Sequence, residues 1–211
     1  MNGLRLLVIA KEPVPGRVKT RLCPPCTPEQ AAAVARAALD DTLSTVDHLK
    51  DAHRTLVISG TYPAPRGWTV IRQRGDGLGE RLAHAFADTD DGGPALLVGM
   101  DTPQLTAELL GDLAHGLASA DAVLGPAEDG GWWALALREP RYAAVLRDVP
   151  MSTADTGRLT RQALRDKGLR VVAGPGLRDV DTAADAWAVA GQCPDGRFAA
   201  AVRAYLPRAR S

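Results

Sequence analysis

Asp101 closes a short run of residues without a polar side chain, 96–100, and Pro103 follows two positions later. An uninterrupted apolar run is typical of a strand buried on both faces of a parallel sheet, and Pro103 predicts that this strand ends where Asp101 begins. Ligands of open α/β sheets bind beyond the carboxyl ends of the strands, and Mg²⁺ takes one or two protein carboxylates. Asp101 is therefore either a metal ligand beside the phosphates of a substrate or the first residue of an ordinary Asp-Thr-Pro turn.

Four cations lie close together in the loop after the first apolar segment. They are Lys11, Arg17, Lys19 and Arg21, with Glu12 as the one acid among them. Two unit charges about 4 Å apart repel each other by roughly 4 kcal/mol at an effective dielectric constant near 20. Converging cations would need an anion between them, and a polyphosphate is the candidate, with Gly16 allowing its close approach to the backbone. The alternative is that these side chains point outward into water.

Two further acids, Asp179 and Asp181, precede a predicted helix that begins near Ala183 with Thr182 as its N-cap. Either acid could supply a second carboxylate to the cation held by Asp101, and Asp181 is preferred. The alternative is that both acids interact with the positive end of the helix dipole.

Two glycine-containing turns are candidates for substrate contacts. The turn 128–131 could admit a sugar or an acceptor phosphate, with Asp129 accepting hydrogen bonds from hydroxyl groups, although an ordinary Asp-Gly hairpin turn fits nearly as well. Gln73 and the turn 77–79 could contact a nucleobase, because an amide offers both donors and acceptors. Trp132 and Trp133 are expected to pack in the core, on opposite faces of one strand.

The elements that must position these residues alternate between strand and helix. Apolar runs predict strands over 4–10, 55–59, 68–72, 96–100, 121–125, 132–137 and 169–173. Capping signals and helical periodicity predict helices over 28–49, 80–88, 106–118, 152–167, 183 onwards and 197–206. The alternation indicates right-handed βαβ units, and hence an α/β fold with a mostly parallel central sheet flanked by helices. Residues 1–211 are predicted to form one domain.

The overall charge and hydropathy exclude some classes of partner. Lys and Arg together number 25, as do Asp and Glu, so a broad basic face for nucleic acid or an anionic membrane is not expected. The sequence has no apolar run of the length that spans a bilayer. Residues 1–5 lead directly into a strand rather than a secretory signal, so a cytoplasmic location is expected.

Three cysteines are present, two of them in the segment Cys-Pro-Pro-Cys at Cys23 and Cys26. The functional interpretations are a redox pair or half of a zinc site. A second Cys/His pair at ligand spacing is missing from the sequence, so reduced thiols in a proline-stiffened loop are expected.

A known family shares a set of ordered segments with this chain: AKEPVPGRVKTRL, QRGDGLGERL, GMDTP, GPAEDGGWW and DVDT. By these segments the chain resembles the bacterial selenodomain-associated transferases of the GT-A (nucleotide-diphospho-sugar transferase) superfamily, over nearly its whole length. KTRL and DVDT are also similar to phospholactate guanylyltransferases. The resemblance implies a GT-A-like fold and a transferase that uses Mg²⁺ or Mn²⁺, a nucleotide (NTP or NDP-sugar) and a small-molecule acceptor, as a monomer or homodimer.

The resemblance also implies roles for individual residues. Catalysis would depend on Arg17, Lys19 and Asp101, and the metal would be held by Asp101 and Asp181. The nucleotide would be bound by Ala10, Lys11, Gly16, Arg17, Lys19, Arg21, Gln73, Gly77, Leu78 and Gly79. The acceptor would be bordered by Asp129, Gly130, Gly131, Trp132, Ser152 and Thr153.

The number of cations in the first loop exceeds what a departing nucleoside diphosphate needs. This favours a nucleotidyltransferase that joins an NTP to a phosphorylated small molecule and releases pyrophosphate. The alternative is a glycosyltransferase with an NDP-sugar donor. A nucleotide-binding module without turnover is a third hypothesis.

Overall fold

A computed structural model describes residues 3–49 and 52–207 of the 211-residue chain. The N-terminal prediction falls partly on Met1 and Asn2, which lie outside the described residues, as do Lys50, Asp51 and residues 208–211. The domain range 1–211 includes these residues and stays a prediction.

Seven strands in the described residues form one sheet. They are β1 (Leu4–Lys11), β2 (Ala52–Ser59), β3 (Thr69–Arg72), β4 (Ala95–Val98), β5 (Ala122–Pro126), β6 (Trp132–Leu137) and β7 (Val171–Ala173). The α-helices are α1 (Pro28–Asp47), α2 (Leu78–Asp88), α3 (Ala107–Gly116), α4 (Thr156–Asp166), α5 (Ala183–Gln192) and α6 (Arg197–Tyr205), and two 3-10 segments cover Thr20–Leu22 and Pro140–Asp148.

The strand order is β3-β2-β1-β4-β6-β5-β7. All neighbouring strands are parallel except β6, which runs antiparallel to both β4 and β5. The predicted α/β class with a mostly parallel sheet is confirmed. β4 is buried along its whole length, as predicted, but it ends at Val98 rather than at Asp101. Residues 99–103 are therefore loop, and Asp101 lies in that loop.

Helices cover both faces of the sheet because alternate strand residues point to opposite sides. Leu6 and Val8 of β1 belong to a core cluster on the face of α1 and α3. Leu7 points to the other face, where α2, the 3-10 segment Pro140–Asp148 and α4 pack. A third cluster joins α5 and α6 to the outer side of α1. No helix in the described ranges has both the length and the hydropathy needed to cross a bilayer.

Capping residues set several helix starts as predicted. Thr27 and Gln30 form a complete capping box at α1, and Thr182 caps α5. The prediction for α4 was wrong by four residues, because Ser152 adopts a left-handed conformation (φ 59°) and the helix begins only at Thr156. The 3-10 segment Pro140–Asp148 was not predicted.

Candidate functional site

A cavity of about 630 Å³ lies where β1 and β4 end at their carboxyl termini. Fourteen of the residues predicted from the sequence line it: Ala10, Lys11, Arg17, Lys19, Arg21, Gln73, Leu78, Asp101, Asp129, Gly131, Trp132, Ser152, Thr153 and Asp181. Side chains separated by up to 171 positions in the sequence therefore face one space.

Four predicted glycines do not line the cavity, and the structure gives them local backbone roles. Gly16 has φ +74° in a turn, and Gly77 precedes α2 as its N-cap. A Cβ on Gly79 would lie 2.2 Å from the carbonyl oxygen of Leu146, so this glycine allows α2 to pack closely on the 3-10 segment Pro140–Asp148. Gly130 has φ +89° in the β5–β6 turn.

The loop after β1, residues 12–19, is held by its backbone and by its single acid. Arg17 N donates to Val14 O at 3.0 Å, which closes the turn that contains Gly16. Glu12 N donates to Ser59 O, and Glu12 Oε2 accepts from Thr61 N at 2.8 Å. Glu12 thus ties the loop to the end of β2 and does not pair with the neighbouring cations.

Lys19 is the most enclosed cation of this loop. It adopts a left-handed backbone conformation (φ 48°), and its side chain is only 7% exposed. The ammonium lies 2.5 Å from Asp101 Oδ1 and donates to the carbonyl oxygen of Val180. Asp101 is 51% exposed, so its other oxygen can still accept a ligand. Lys19 joins the loops after β1 and β4 to residue 180.

Residues 178–181 lie alongside the loop that carries Asp101. Val180 N donates to Asp101 O at 2.9 Å, and Gln104 Nε2 donates to Arg178 O at 2.6 Å. Arg21 Nη1 lies 2.5 Å from Asp181 Oδ2. These contacts bring Asp179 and Asp181 to the cavity. The sequence could suggest this position for the two acids but could not establish it.

The four cations of the loop are not equivalent. Lys19 and Arg21 are paired with carboxylates, so the sequence-based picture of four free cations needs correction. Lys11 and Arg17 are exposed, and neither forms an ion pair with any carboxylate in residues 3–49 and 52–207. The unpaired positive charge of this loop is therefore concentrated on these two residues.

Asp179, which the sequence analysis favours less than Asp181 as a second metal ligand, also lines the cavity. Burial raises its pKa above the usual value, and the nearby carboxylates of Asp129 and Asp181 raise it further, against an opposing effect of Lys19. Asp179 makes no ion pair within the described part of the chain, whereas Asp181 is engaged by Arg21. Both carboxylates line the same cavity as Asp101.

Gln73 uses its amide nitrogen to join strand ends. Gln73 Nε2 donates to the carbonyl oxygens of Ala10 at 2.7 Å and Val57 at 3.1 Å, which fixes the orientation of the amide. Both N–H donors are therefore used. The oxygen Oε1 is the atom that Gln73 can offer to a ligand, so its predicted contact with a base is restricted to accepting a hydrogen bond.

The β5–β6 connection is a tight turn that also borders the cavity. The hairpin-turn interpretation of residues 128–131 is confirmed, and their contact with an acceptor stays a prediction. Asp129 Oδ1 accepts from Gly131 N at 2.7 Å, and Glu128 pairs with Arg178 at 2.7 Å. Gly130 has φ +89°, and a Cβ there would lie 2.0 Å from Ala154 O. The turn is thereby packed against the segment that precedes α4.

Trp132 and Trp133 face opposite sides of the sheet, as predicted. Trp132 Nε1 donates to Thr160 Oγ1 at 3.2 Å, and Trp133 Nε1 donates to Pro175 O at 2.9 Å. Trp133 is buried in the core, whereas Trp132 is half-buried, and both residues line the cavity.

Several cavity residues were not in the predicted set. They include Asp76, Arg81, Met151 and Thr156. Arg81 Nε donates to Gly75 O at 3.0 Å, at the base of the turn before α2. Its position four residues after Gly77, on the first turns of a helix that opens at a candidate site, is the signal that could have identified it.

The carboxylates fit a hard divalent cation. No set of three or more His, Cys, Asp or Glu side chains in residues 3–49 and 52–207 is arranged around a common metal position. Mg²⁺ nevertheless needs only one or two protein carboxylates and takes its other ligands from water and phosphate. Asp101 together with Asp181 or Asp179 supplies such a set on one cavity wall.

The cysteines do not contribute to this site. All three are free thiols, and Cys26 and Cys193 lie in apolar surroundings. Burial raises the pKa of Cys26, and burial together with Asp41 raises the pKa of Cys193 to about 11, so both thiols are protonated at neutral pH.

Solved structures share this fold. A crystal structure from Desulfovibrio desulfuricans, provisionally named a nucleotide-diphospho-sugar transferase, matches with a TM-score of 0.86 and 27% identity over 97% of this chain and 95% of that chain. CMP:2-keto-3-deoxy-manno-octonic acid synthetase, solved with CTP, matches with a TM-score of 0.59 and 11% identity over 91% and 98% of the two chains. The 4-diphosphocytidyl-2C-methyl-D-erythritol synthase of Anaerococcus prevotii matches with a TM-score of 0.58 and 11% identity over 92% and 100%. At such identities the last two show similarity of fold alone.

Curated proteins give no match to this sequence. One family profile does match, over residues 30–153, and its description is an uncharacterized protein conserved in bacteria, DUF2064. The matched range covers more than half of the chain and contains β2 to β6 with Asp101 and the β5–β6 turn. The chain therefore belongs to the bacterial DUF2064 family.

Proposed function

We propose that this protein is a Mg²⁺-dependent nucleotidyltransferase that joins an NTP to a phosphorylated small molecule and releases pyrophosphate. The observation that carries this proposal is the pair of exposed cations, Lys11 and Arg17, beside the Lys19–Asp101 ion pair in one cavity of about 630 Å³. Two unpaired cations at a cavity wall favour a polyanionic ligand such as a triphosphate.

In this reaction an oxygen of the acceptor phosphate forms a bond to the α-phosphorus of the NTP. The bond from that phosphorus to the bridging oxygen breaks, and pyrophosphate leaves with the electron pair. Lys11 and Arg17 bind the β- and γ-phosphates and stabilise the charge that develops on pyrophosphate. A phosphate acceptor is already ionised at neutral pH, so the protein needs no strong general base.

The other residues of the site position the reactants. Lys19 holds Asp101 in place, and Gln73 offers Oε1 to the nucleoside. Asp101 with Asp181 or Asp179 would hold Mg²⁺. When bound, Mg²⁺ would supply charge neutralisation on the phosphate oxygens.

Several similarities support nucleotidyl transfer. The sequence motifs resemble those of selenodomain-associated transferases and phospholactate guanylyltransferases. The nucleotide-using synthetases of the same fold are more distant. A cytoplasmic location agrees with this proposal.

One observation favours glycosyl transfer from an NDP-sugar as a second candidate. The structure with the TM-score of 0.86 carries the name nucleotide-diphospho-sugar transferase. In that case the same cations would stabilise a leaving nucleoside diphosphate, and Asp129 would accept a hydrogen bond from the acceptor hydroxyl.

Separate incubations test the two candidates. The four NTPs are each combined with a panel of phosphorylated acceptors and Mg²⁺, and pyrophosphate release and product mass are measured. NDP-sugars with the dephosphorylated acceptors form the parallel set. We expect pyrophosphate release with at least one NTP and acceptor. Transfer from NDP-sugars without any pyrophosphate release would establish the second candidate instead.

A further inference from the structure

The sheet order divides the cavity into two sides. β4 lies between β1 and β6, so the loop after β4, which carries Asp101, lies between the loop after β1 and the β5–β6 turn. Lys11 ends β1 and Arg17 belongs to the loop that follows it, whereas Asp129 belongs to the β5–β6 turn. The two sides of Asp101 therefore differ in the residues that line them.

The charges on these two sides differ in sign. The cavity-lining cations of the described residues come from the β1 loop and α2: Lys11, Arg17, Lys19, Arg21 and Arg81. The turn 127–131 and the segment 151–156 contain no lysine or arginine. They contribute Asp129, which is exposed and lines the cavity.

The remaining wall on the second side is neutral. Trp132 and Met151 give it an apolar surface, and Ser152 and Thr153 give it hydroxyl groups. Met151 packs near Gly79, which closes this side of the cavity against α2. An aromatic face with adjacent hydroxyl groups and one carboxylate matches a neutral ligand that carries hydroxyl groups.

We infer that the acceptor carries its phosphate as its only anionic group, attached to a neutral, hydroxyl-bearing body. This inference rests on the proposed function, which places the acceptor opposite the nucleotide. A second anionic group on the acceptor would lie beside Asp129, on the side where the turn 127–131 and the segment 151–156 supply no lysine or arginine. Repulsion between that group and the Asp129 carboxylate, with no cation from these two segments to pair either of them, is one way in which a site rejects a competing ligand.

Matched acceptor pairs test this inference. Glycerol 3-phosphate and 3-phosphoglycerate differ by the replacement of a hydroxymethyl group with a carboxylate, and glucose 6-phosphate and 6-phosphogluconate form a larger pair. Dissociation constants are measured by titration calorimetry with Mg²⁺ and a non-hydrolysable NTP, and kcat/KM is measured by pyrophosphate release. In each pair we expect the acceptor without the carboxylate to bind about 10-fold more tightly than the acceptor with it. We expect Asp129→Asn to reduce this ratio of dissociation constants several-fold.

The control variant is Glu108→Gln. Glu108 is an exposed carboxylate on α3 that does not line the cavity, so this change should leave the ratio of dissociation constants unchanged. Equal or tighter binding of the carboxylate-bearing member overturns the inference, and so does a failure of every pair to bind. Preferential binding without pyrophosphate release from any NTP overturns the proposed reaction and leaves the inference about the acceptor standing.

Discussion

Lys19 shows how far a residue's position can change the role that its chemistry suggests. Its ammonium is almost fully enclosed and is shared between Asp101 and the carbonyl oxygen of Val180. A lysine committed to two protein oxygens has little free charge for a phosphate. The sequence could predict a cluster of cations, but it could not predict which members are paired, because Asp101 and Asp181 are 82 and 160 residues away from their partners.

We expect Lys11→Ala and Arg17→Ala to weaken NTP binding by about 10-fold each, because each removes an unpaired cation from the phosphate side of the cavity. Isothermal titration calorimetry with each NTP measures this loss. Lys167→Ala and Arg66→Ala remove exposed cations that do not line the cavity and should leave the affinity unchanged. Equal losses in all four variants would indicate a nonspecific effect of net charge.

A double-mutant cycle on Lys19→Met and Asp101→Asn should show coupling of about 1–3 kcal/mol in the free energy of unfolding. Each single change leaves the other group of the ion pair without its partner, and the Lys19 side chain is almost fully enclosed. The half exposure of Asp101 keeps the value below that of a fully buried pair. Urea unfolding measures it. The exposed pair Arg158–Asp155 is the control and should couple by less than about 1 kcal/mol. A similar value for both pairs would contradict the structural role of Lys19.

This coupling affects how a loss of activity in Asp101→Asn is interpreted. Such a loss combines removal of a metal ligand with release of a buried ammonium. The urea experiment separates the two, because a metal ligand alone would not lower stability in the absence of metal.

At the scale of elements, the loop after β1 depends on its one acid. Glu12→Ala should weaken NTP binding by about 10-fold, although it removes a negative charge beside the phosphates, because the hydrogen bond to Thr61 N that fixes the loop is lost. Removal of a negative charge beside the phosphates would by itself strengthen NTP binding. Calorimetry decides between them, with Glu29→Ala, an exposed acid at the start of α1, as the control.

The β5–β6 turn and the end of α4 each contain a glycine with a similar left-handed backbone. Gly130 has φ +89° and is packed against Ala154 O, whereas Gly168 has φ +82° and open space, with no atom within 4 Å, where a Cβ would lie. Gly168→Ala should cost about 1–2 kcal/mol of unfolding free energy from backbone strain. Gly130→Ala should cost about 2–5 kcal/mol, because a steric clash adds to that strain. Urea unfolding of both variants gives the difference, and equal costs would mean that the turn moves freely away from residue 154.

Most elements could be predicted because their signals are local. Thr27, Pro28 and Gln30 specify the start of α1 within four residues, and an apolar run specifies β4. A hairpin turn at residues 128–131 implies that β6 runs antiparallel to β5, but the position of β6 in the sheet could not be predicted in this way. β6 pairs antiparallel with both β4 and β5. This position depends on the tight turn after β5 and on contacts with strands that are distant in the sequence. The same turn brings Asp129 to the cavity.

At the scale of the whole molecule, the charges balance. The formal net charge is zero and the sequence pI is about 6.9, so little electrostatic repulsion separates molecules near neutral pH. We expect a solubility minimum near pH 7 and a clear increase at pH 8.5, measured as the protein concentration that remains in solution after precipitant is added. A minimum displaced by more than one pH unit would show that uneven surface charge dominates.

The contact between residues 178–181 and the loop of Asp101 has a consequence for how this site is completed. The family match at residues 30–153 includes Asp101 but excludes both the cations of the first loop and the acids Asp179 and Asp181. A fragment limited to that range would lose β1, which lies between β2 and β4, and with it the cations of the first loop and the acids Asp179 and Asp181. During synthesis the cavity therefore stays incomplete until residues 180 and 181 have left the ribosome and paired with Lys19 and Arg21, which are made much earlier.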